Sequence, residues 1–185
     1  MATASFVALI RGVNVGGKAK LPMADLRALL TQLGFAEART LLQSGNVVLR
    51  TDASSRPGDL ERALREAIGE RFDLAVSCLV RTEAEFRDVV SANPLAEFAD
   101  LDGPAGSKMQ VIFLSAEPEP ALLAAHDPVG LDPKRIVLGD RAIYQWCPDG
   151  ILTAPAVGSF VERNLKVATT ARNWNTLRKL LAALA

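Results

Sequence analysis

The sequence predicts an α+β fold of two tandem ferredoxin-like (βαββαβ) subdomains followed by a C-terminal helix. Apolar runs typical of strands alternate with helical apolar periodicity along the 185 residues, and the order strand, helix, two strands, helix, strand occurs twice. A polar stretch that contains Gly-Pro-Ala-Gly, Asn93 to Ser107, separates the two copies. We therefore expect a first subdomain with its following helix at residues 1–92, a linker at 93–107 and a second subdomain at 108–185.

The first copy begins with Ser5 to Arg11, which is apolar on both faces as a central strand should be. The segment from Met23 to Leu33 places apolar side chains on one face of a helix at every turn, and Gly34 ends the helix. The stripe consists of Met23, Leu26, Leu29, Leu30 and Leu33. Ser44 and Gly45 lie between two short strand-like runs and predict a tight hairpin. A helix over 59–72 and a strand over 74–80 complete the copy.

A further helix begins near Thr82, because Thr82 and Glu85 have the spacing of a capping box, and it ends before Pro94. The second copy follows with a strand over 108–115, a helix over 118–126, a hairpin turning at Gly139 and Asp140, a weak helix over 154–165 and a short strand over 167–171.

A closing helix from Asn173 completes the predicted fold. Its apolar face consists of Trp174, Leu177, Leu180, Leu181 and Leu184. This spacing indicates that Trp174 is a core residue rather than a ligand platform.

Several functional classes are disfavoured by composition. No apolar run approaches the roughly 18 to 20 residues of a membrane span, and the N-terminal run lacks the basic flank of a signal peptide. Cys78 and Cys147 lie far apart in strand-like segments, and His126 is the only histidine, so a disulfide framework, a histidine triad and a multi-histidine metal site are disfavoured. We expect a cytoplasmic protein with no cofactor, no metal and no membrane association.

Charge is balanced overall but unevenly distributed. Residues 1–50 carry six Lys/Arg against two Asp/Glu, and residues 151–185 carry five against one, whereas 51–100 carry six against eleven and 101–150 carry four against seven. If the two basic ends meet in the fold, they form a basic face that favours a local anionic ligand over a long polyanion. Scattered, solvated charge is the alternative.

Two motifs predict a binding site. In a βαββαβ sheet the third strand lies antiparallel between the first and second, so the end of strand 1 meets the loop between strands 2 and 3. The first motif contributes Arg11, Asn14, Gly16, Gly17 and Lys18, and the second contributes Ser44, Gly45 and Asn46. Basic side chains next to backbone N–H groups that glycines leave accessible are suited to binding an anion. The alternative is that the glycines are present only because the chain needs their conformational freedom to turn there.

Gly12 to Lys18 also fits the first half of a phosphate-binding loop of nucleoside triphosphatases. We reject that interpretation, because Ala19 offers no hydroxyl to magnesium and Pro22 would clash within the helix that must begin there. The sequence assigns no catalytic residue and leaves open whether the protein is an enzyme.

Nucleic-acid binding is one alternative function. The first sheet lacks the aromatic pair on which bases stack, whereas Tyr144 and Trp146 alternate on one face of a later strand without basic neighbours. Burial is the favoured interpretation of that pair. An oligomerisation module that pairs exposed sheet edges or faces is the other alternative, so a homo-oligomer stays open.

Three stretches, "ALIRGVNVGGK…LPMADLRALLTQLGF", "TLLQSGNVVL" and "VATTARNWNTLRKL", together resemble the domain of unknown function 1697 family, a group of mostly bacterial proteins. The resemblance spans nearly the whole chain and implies an α+β fold of two similar subdomains with no established activity. It adds Gly12, Arg172, Asn173 and Trp174 as motif positions without assigned chemistry, of which Arg172 and Asn173 join the ligand-binding candidates. The chain departs from the family at Leu41 and Leu42, where an aromatic is usual, and in "GILTAPAVGS", where the family has a serine and a lysine.

Overall fold

A computed structural model describes residues 2–14, 20–35, 37–98 and 103–185. The chain has a mixed α+β fold with two four-stranded antiparallel sheets, and six α-helices lie within the described residues. It divides into two compact units: Met1–Arg87 together with Lys179–Ala185, and Asp88–Arg178. The division at residues 93–107 inferred from the sequence stays a prediction.

The first unit holds the first sheet and its helices. Its elements are β1 (Thr3–Arg11), α1 (Met23–Gln32), β2 (Arg39–Leu41), β3 (Asn46–Asp52), α2 (Pro57–Phe72), β4 (Ser77–Thr82) and the start of α3 (Glu83–Ser91). The strand order is β2-β3-β1-β4. The expectation that the third strand lies antiparallel between the first and second is therefore confirmed, with Leu9 of β1 opposite Asn46 of β3.

The core of the first unit forms where one face of this sheet packs against α1 and α2. Phe6, Ala8 and Ile10 alternate along β1 and join the buried face of each helix, as the two-residue period of a strand requires. Each fully buried leucine-sized side chain contributes about 1.5–3 kcal/mol. Leu33, which the helical stripe places in the core, is 38% exposed. The reason is that α1 ends at Gln32 and the chain then turns at Gly34, whose φ is +91°.

The hairpin between β2 and β3 exists, but its turn is wider than predicted. Leu41 pairs with Asn46, so four residues form the loop instead of a tight turn at Ser44 and Gly45. Leu42 and Gly45 both have positive φ, +59° and +74°. These two left-handed residues let the chain reverse over four positions.

The capping box at the start of α3 is confirmed. The Thr82 amide donates to Glu85 Oε2 at 2.9 Å, and the Glu85 amide donates to Thr82 Oγ1 at 3.2 Å. Further along, the described parts of the predicted linker contain two short 3-10 helices, Ala96–Phe98 and Pro104–Ser107. Asn93 and Leu95 are buried there.

The second unit repeats the strand order of the first. Its elements are the end of α3, β5 (Met109–Leu114), α4 (Pro120–Ala125), a 3-10 helix (Pro128–Leu131), β6 (Ile136–Gly139), β7 (Ala142–Trp146), α5 (Val157–Asn164), β8 (Thr169–Asn173) and the start of α6 (Trp174–Leu184) as far as Arg178. The sheet order is β6-β7-β5-β8. Its core contains Ile112, Ile143 and Val161.

The turn of the second hairpin lies one residue later than predicted. Gly139 pairs with Ala142 inside the ladder, so Asp140 and Arg141 form the turn, and Arg141 has a φ of +47°. Gly139 has a different role from the predicted one. A Cβ at this position would lie 2.7 Å from the ring of Tyr144, so glycine makes room for that buried side chain.

The interpretation of Trp174 as a core residue is confirmed, since it is buried at the start of α6 together with Leu177 and Leu180. Leu181 and Leu184 are half-buried. His126 is exposed at the C-terminal end of α4, and neither cysteine forms a disulfide. Across the described residues, no helix has the length and apolarity needed to cross a membrane.

Candidate functional site

The two predicted motifs meet in the first unit at the end of β1. The Ile10 amide donates to the Gly45 carbonyl at 2.7 Å, which extends the β1–β3 ladder into the β2–β3 loop. Gly45 also packs closely, because a Cβ there would lie 2.8 Å from Ile10 O and 2.9 Å from Val13 Cγ2. The loop therefore sits against the end of β1 in a position that only glycine permits.

Asn14 holds the other side of this junction. Its side-chain amide donates to the carbonyls of Leu21 and Gln43, both at 2.8 Å, and its Oδ1 accepts from the Leu21 amide at 2.9 Å. Asn14 has a φ of +55°, which asparagine adopts more readily than most residues. One side chain thus ties the segment before α1 to the β2–β3 loop, and its amide hydrogens are used within the protein.

Asn46 has a similar internal role. Its side chain is 0% exposed, and its amide donates to Leu41 O at 3.1 Å and to Ser44 Oγ at 2.9 Å. A fully buried amide cannot contact a ligand directly without a rearrangement. Asn46 instead sets the orientation of Ser44, which is exposed.

Arg11 and Ser44 are the predicted site residues that this geometry leaves on the surface. Arg11 is exposed as the last residue of β1, opposite Ser77 of β4, and its guanidinium is a planar set of N–H donors. The next residue, Gly12, has a φ of +91° and turns the chain away from the strand. The predicted residues Gly16, Gly17 and Lys18 lie outside the described residues.

The other two candidates lie in the second unit and have structural contacts. Arg172 Nη1 donates to Ala171 O at 2.9 Å. Asn173 Oδ1 accepts from the amide and the hydroxyl of Thr176, both at 2.9 Å. Asn173 is therefore the N-cap of α6, a role that its position directly before an apolar helical stripe could have revealed.

Comparison with known proteins identifies the family to which these motifs belong. The sequence model described as "Protein of unknown function (DUF1697)" matches residues 3–144, which include the β1 motif and the β2–β3 loop. The chain belongs to this family. The conserved bacterial protein SP0830 from Streptococcus pneumoniae has a similar structure, with a TM-score of 0.70, 21% identity and 100% coverage of both chains. That likeness concerns the fold alone. No curated protein matches significantly.

Two glutamates that the sequence did not reveal as important accept hydrogen bonds from backbone amides of the edge strands in this DUF1697 fold. Glu61 of α2 accepts from the Val80 amide of edge strand β4 at 2.7 Å. In the second unit, Glu162 of α5 accepts from the Thr169 amide and hydroxyl of edge strand β8, both at 3.0 Å. Edge amides are normally open to pairing with another chain, and here two of them already have acceptors.

Tyr144 is buried, as favoured over its use as a stacking residue. It is 1% exposed, and its hydroxyl donates to Val89 O at 2.7 Å. Burial raises the pKa of the Tyr144 phenol to about 12, and Asp140 adds to the effect. Burial also raises the pKa of the Cys147 thiol, which lowers the reactive thiolate fraction.

The described part of the chain holds no group of three or more His, Cys, Asp or Glu side chains placed to bind a metal ion. At the junction of β1 and the β2–β3 loop, the described surface carries the Arg11 guanidinium and the Ser44 hydroxyl, next to the hydrogen bonds made by Asn14 and Asn46. Such groups bind and orient an anion by charge-assisted hydrogen bonds.

Proposed function

We propose that the protein binds a small anionic molecule, such as a phosphorylated or carboxylated metabolite, at the junction of β1 and the β2–β3 loop. Arg11 would supply the charge and Ser44 a hydroxyl. Gly16, Gly17 and Lys18 would complete the site from the segment that follows. The proposal concerns binding and assigns no reaction.

The observation that supports the proposal is the hydrogen bond from the Ile10 amide to the Gly45 carbonyl of the β2–β3 loop, because Arg11 directly follows Ile10 in β1. Asn14, Gly45 and Asn46 support it indirectly, because they hold the frame on which Arg11 and Ser44 are displayed. A preformed frame lowers the entropy cost of binding a small ligand. We propose Arg172 and Asn173 only as secondary candidates, since both have structural contacts in the second unit.

A thermal-stability measurement tests this site. Phosphate, sulfate, phosphorylated metabolites and carboxylates are compared at constant ionic strength, because a general salt effect would otherwise mimic binding. A ligand at ten times its Kd raises the free energy of unfolding by about 1.4 kcal/mol, or roughly 3–6 °C in Tm for a chain of this size.

The double variant Arg11→Gln with Lys18→Gln should abolish the specific increase. Arg65→Gln is the matched control, because Arg65 is an exposed arginine on α2 and its loss changes charge outside the loop. If no anion gives a shift larger than in the double variant, or if Arg65→Gln removes the shift equally, the proposal is wrong.

The alternatives have less support. Tyr144, half of the aromatic pair that could stack bases, is buried and hydrogen-bonded, which weighs against a nucleic-acid surface there. Edge-strand amides of β4 and β8 already donate hydrogen bonds to Glu61 and Glu162. This weighs against oligomerisation by strand pairing at β4 or β8. A homo-oligomer formed through other surfaces is still compatible with anion binding.

We also infer that the two units are tandem ferredoxin-like subdomains that arose by duplication. Two observations support this: the strand orders β2-β3-β1-β4 and β6-β7-β5-β8 are equivalent, and a helix glutamate meets the outer strand in both. A cytoplasmic location is part of the same proposal. It is supported by two cysteines that form no disulfide, as is usual in reducing compartments.

A further inference from the structure

A cavity in the second unit lies between the start of β6, the end of β7 and the loop before α5. Its volume is about 180 Å³. That is more than ten times the roughly 10–15 Å³ that one water requires and smaller than the roughly 300–1,000 Å³ of a drug-sized pocket. Its size therefore suits a small metabolite.

The loop that forms its rim, residues 148–155, is held at both ends. Lys108 Nζ donates to Pro148 O at 2.6 Å, and Gln145 Nε2 donates to Pro155 O at 2.9 Å. Between these points, Thr153 Oγ1 donates within the loop to Gly150 O at 2.9 Å. The cavity is thus preformed, which lowers the cost of ordering it around a ligand.

Charge along the open side of the cavity is mixed, with 46% of the Arg135 side chain and 77% of the Asp149 side chain exposed. Arg135 lies between two carboxylates, with 4.0 Å from Nε to Asp132 Oδ2 and 3.8 Å from Nη1 to Asp149 Oδ2. Both distances exceed hydrogen-bond range. Among the described residues no acceptor is hydrogen-bonded to this guanidinium, so its planar set of N–H donors is available to a carboxylate.

Apolar surface completes the lining. The half-buried Trp146 and Pro148 stand beside these charges. A ligand with only a negative charge would be repelled by the two aspartates, and a ligand with only a positive charge would be repelled by Arg135. A molecule that carries both charges can pair with groups of either sign. We propose that this cavity binds a small zwitterion of the α-amino-acid type, with its carboxylate on Arg135, its ammonium on the exposed Asp149, and its side chain against Trp146.

The proposal can be tested with the two tryptophans of the chain, Trp146 and Trp174. Each gives one indole N–H signal in a ¹H–¹⁵N spectrum, and Trp146→Phe assigns them. Free L-amino acids with different side chains are titrated at constant pH and ionic strength. We expect at least one to shift the Trp146 signal saturably, while the signal of the buried Trp174 stays unchanged.

Analogues and variants then separate the charges. The amide of the same amino acid lacks the carboxylate and its N-acetyl derivative lacks the ammonium, and each should bind at least tenfold more weakly. Arg135→Gln and Asp149→Asn should also weaken binding at least tenfold. Arg163→Gln, an exposed arginine of α5, is the matched control and should bind as the unaltered protein does.

Three results would overturn the proposal: no saturable shift with any amino acid, equal binding of the amide or N-acetyl analogue, or equal loss with Arg163→Gln. Arg11→Gln should leave the response unchanged, because Arg11 belongs to the proposed anion site of the first unit. The outcome is thus independent of whether that first site binds a ligand.

Discussion

Gly45→Ala tests whether the junction of β1 and the β2–β3 loop depends on close packing. The backbone of Gly45 has a φ of +74°, which costs an alanine roughly 1–2 kcal/mol. The new methyl group would also lie 2.8 Å from Ile10 O and 2.9 Å from Val13 Cγ2. Val13 is buried and Ile10 O is backbone, so relieving the clash adds about 1–3 kcal/mol. We expect a total loss of about 2–5 kcal/mol.

Gly34→Ala is the matched control for the conformational term. Gly34 has a φ of +91°, and a Cβ added there would meet no atom within 4 Å, so only the backbone cost of roughly 1–2 kcal/mol applies. Urea unfolding followed by far-UV circular dichroism measures both variants, and each kcal/mol corresponds to roughly 2–4 °C in Tm. Equal losses for the two variants would refute the claim that packing against Ile10 and Val13 makes Gly45 necessary.

Three further predictions concern the core and the helix ends. Trp174→Ala should lower the free energy of unfolding by about 3–5 kcal/mol, measured by urea unfolding, since the ring is buried; a loss below about 1 kcal/mol would contradict its core role. Thr82→Ala should cost about 1 kcal/mol through the capping box with Glu85, and an unchanged urea midpoint would argue against that cap. The Tyr144 phenol has its pKa raised to about 12, so the folded state retains a proton that the unfolded state loses. Stability should therefore fall as pH rises from about 10 towards 12, whereas Tyr144→Phe should remove this component of the pH dependence.

The α+β class and the meeting of the two motifs could be predicted from the sequence because both follow from the order and period of apolar residues. The inward direction of the Asn14 and Asn46 amides could not, since a side chain's partners depend on the folded loop. The turn at Asp140 and Arg141 was misplaced for a related reason. Position 139 requires glycine because a Cβ there would clash with the ring of Tyr144, five residues later in the sequence. In the sequence alone, a glycine needed for packing looks the same as a glycine that forms a turn.

The assignment of Lys179–Ala185 to the first unit has a consequence for synthesis of the protein. These residues are translated more than ninety positions after Arg87, the other end of the same unit. A contact such as that from Arg39 Nη1 to Ala183 O, at 3.5 Å, can therefore form only after all of the second unit has been made. Domains generally fold as units, the N-terminal one first during synthesis, so most of the first unit emerges early and has to wait for its last segment while the second unit is made.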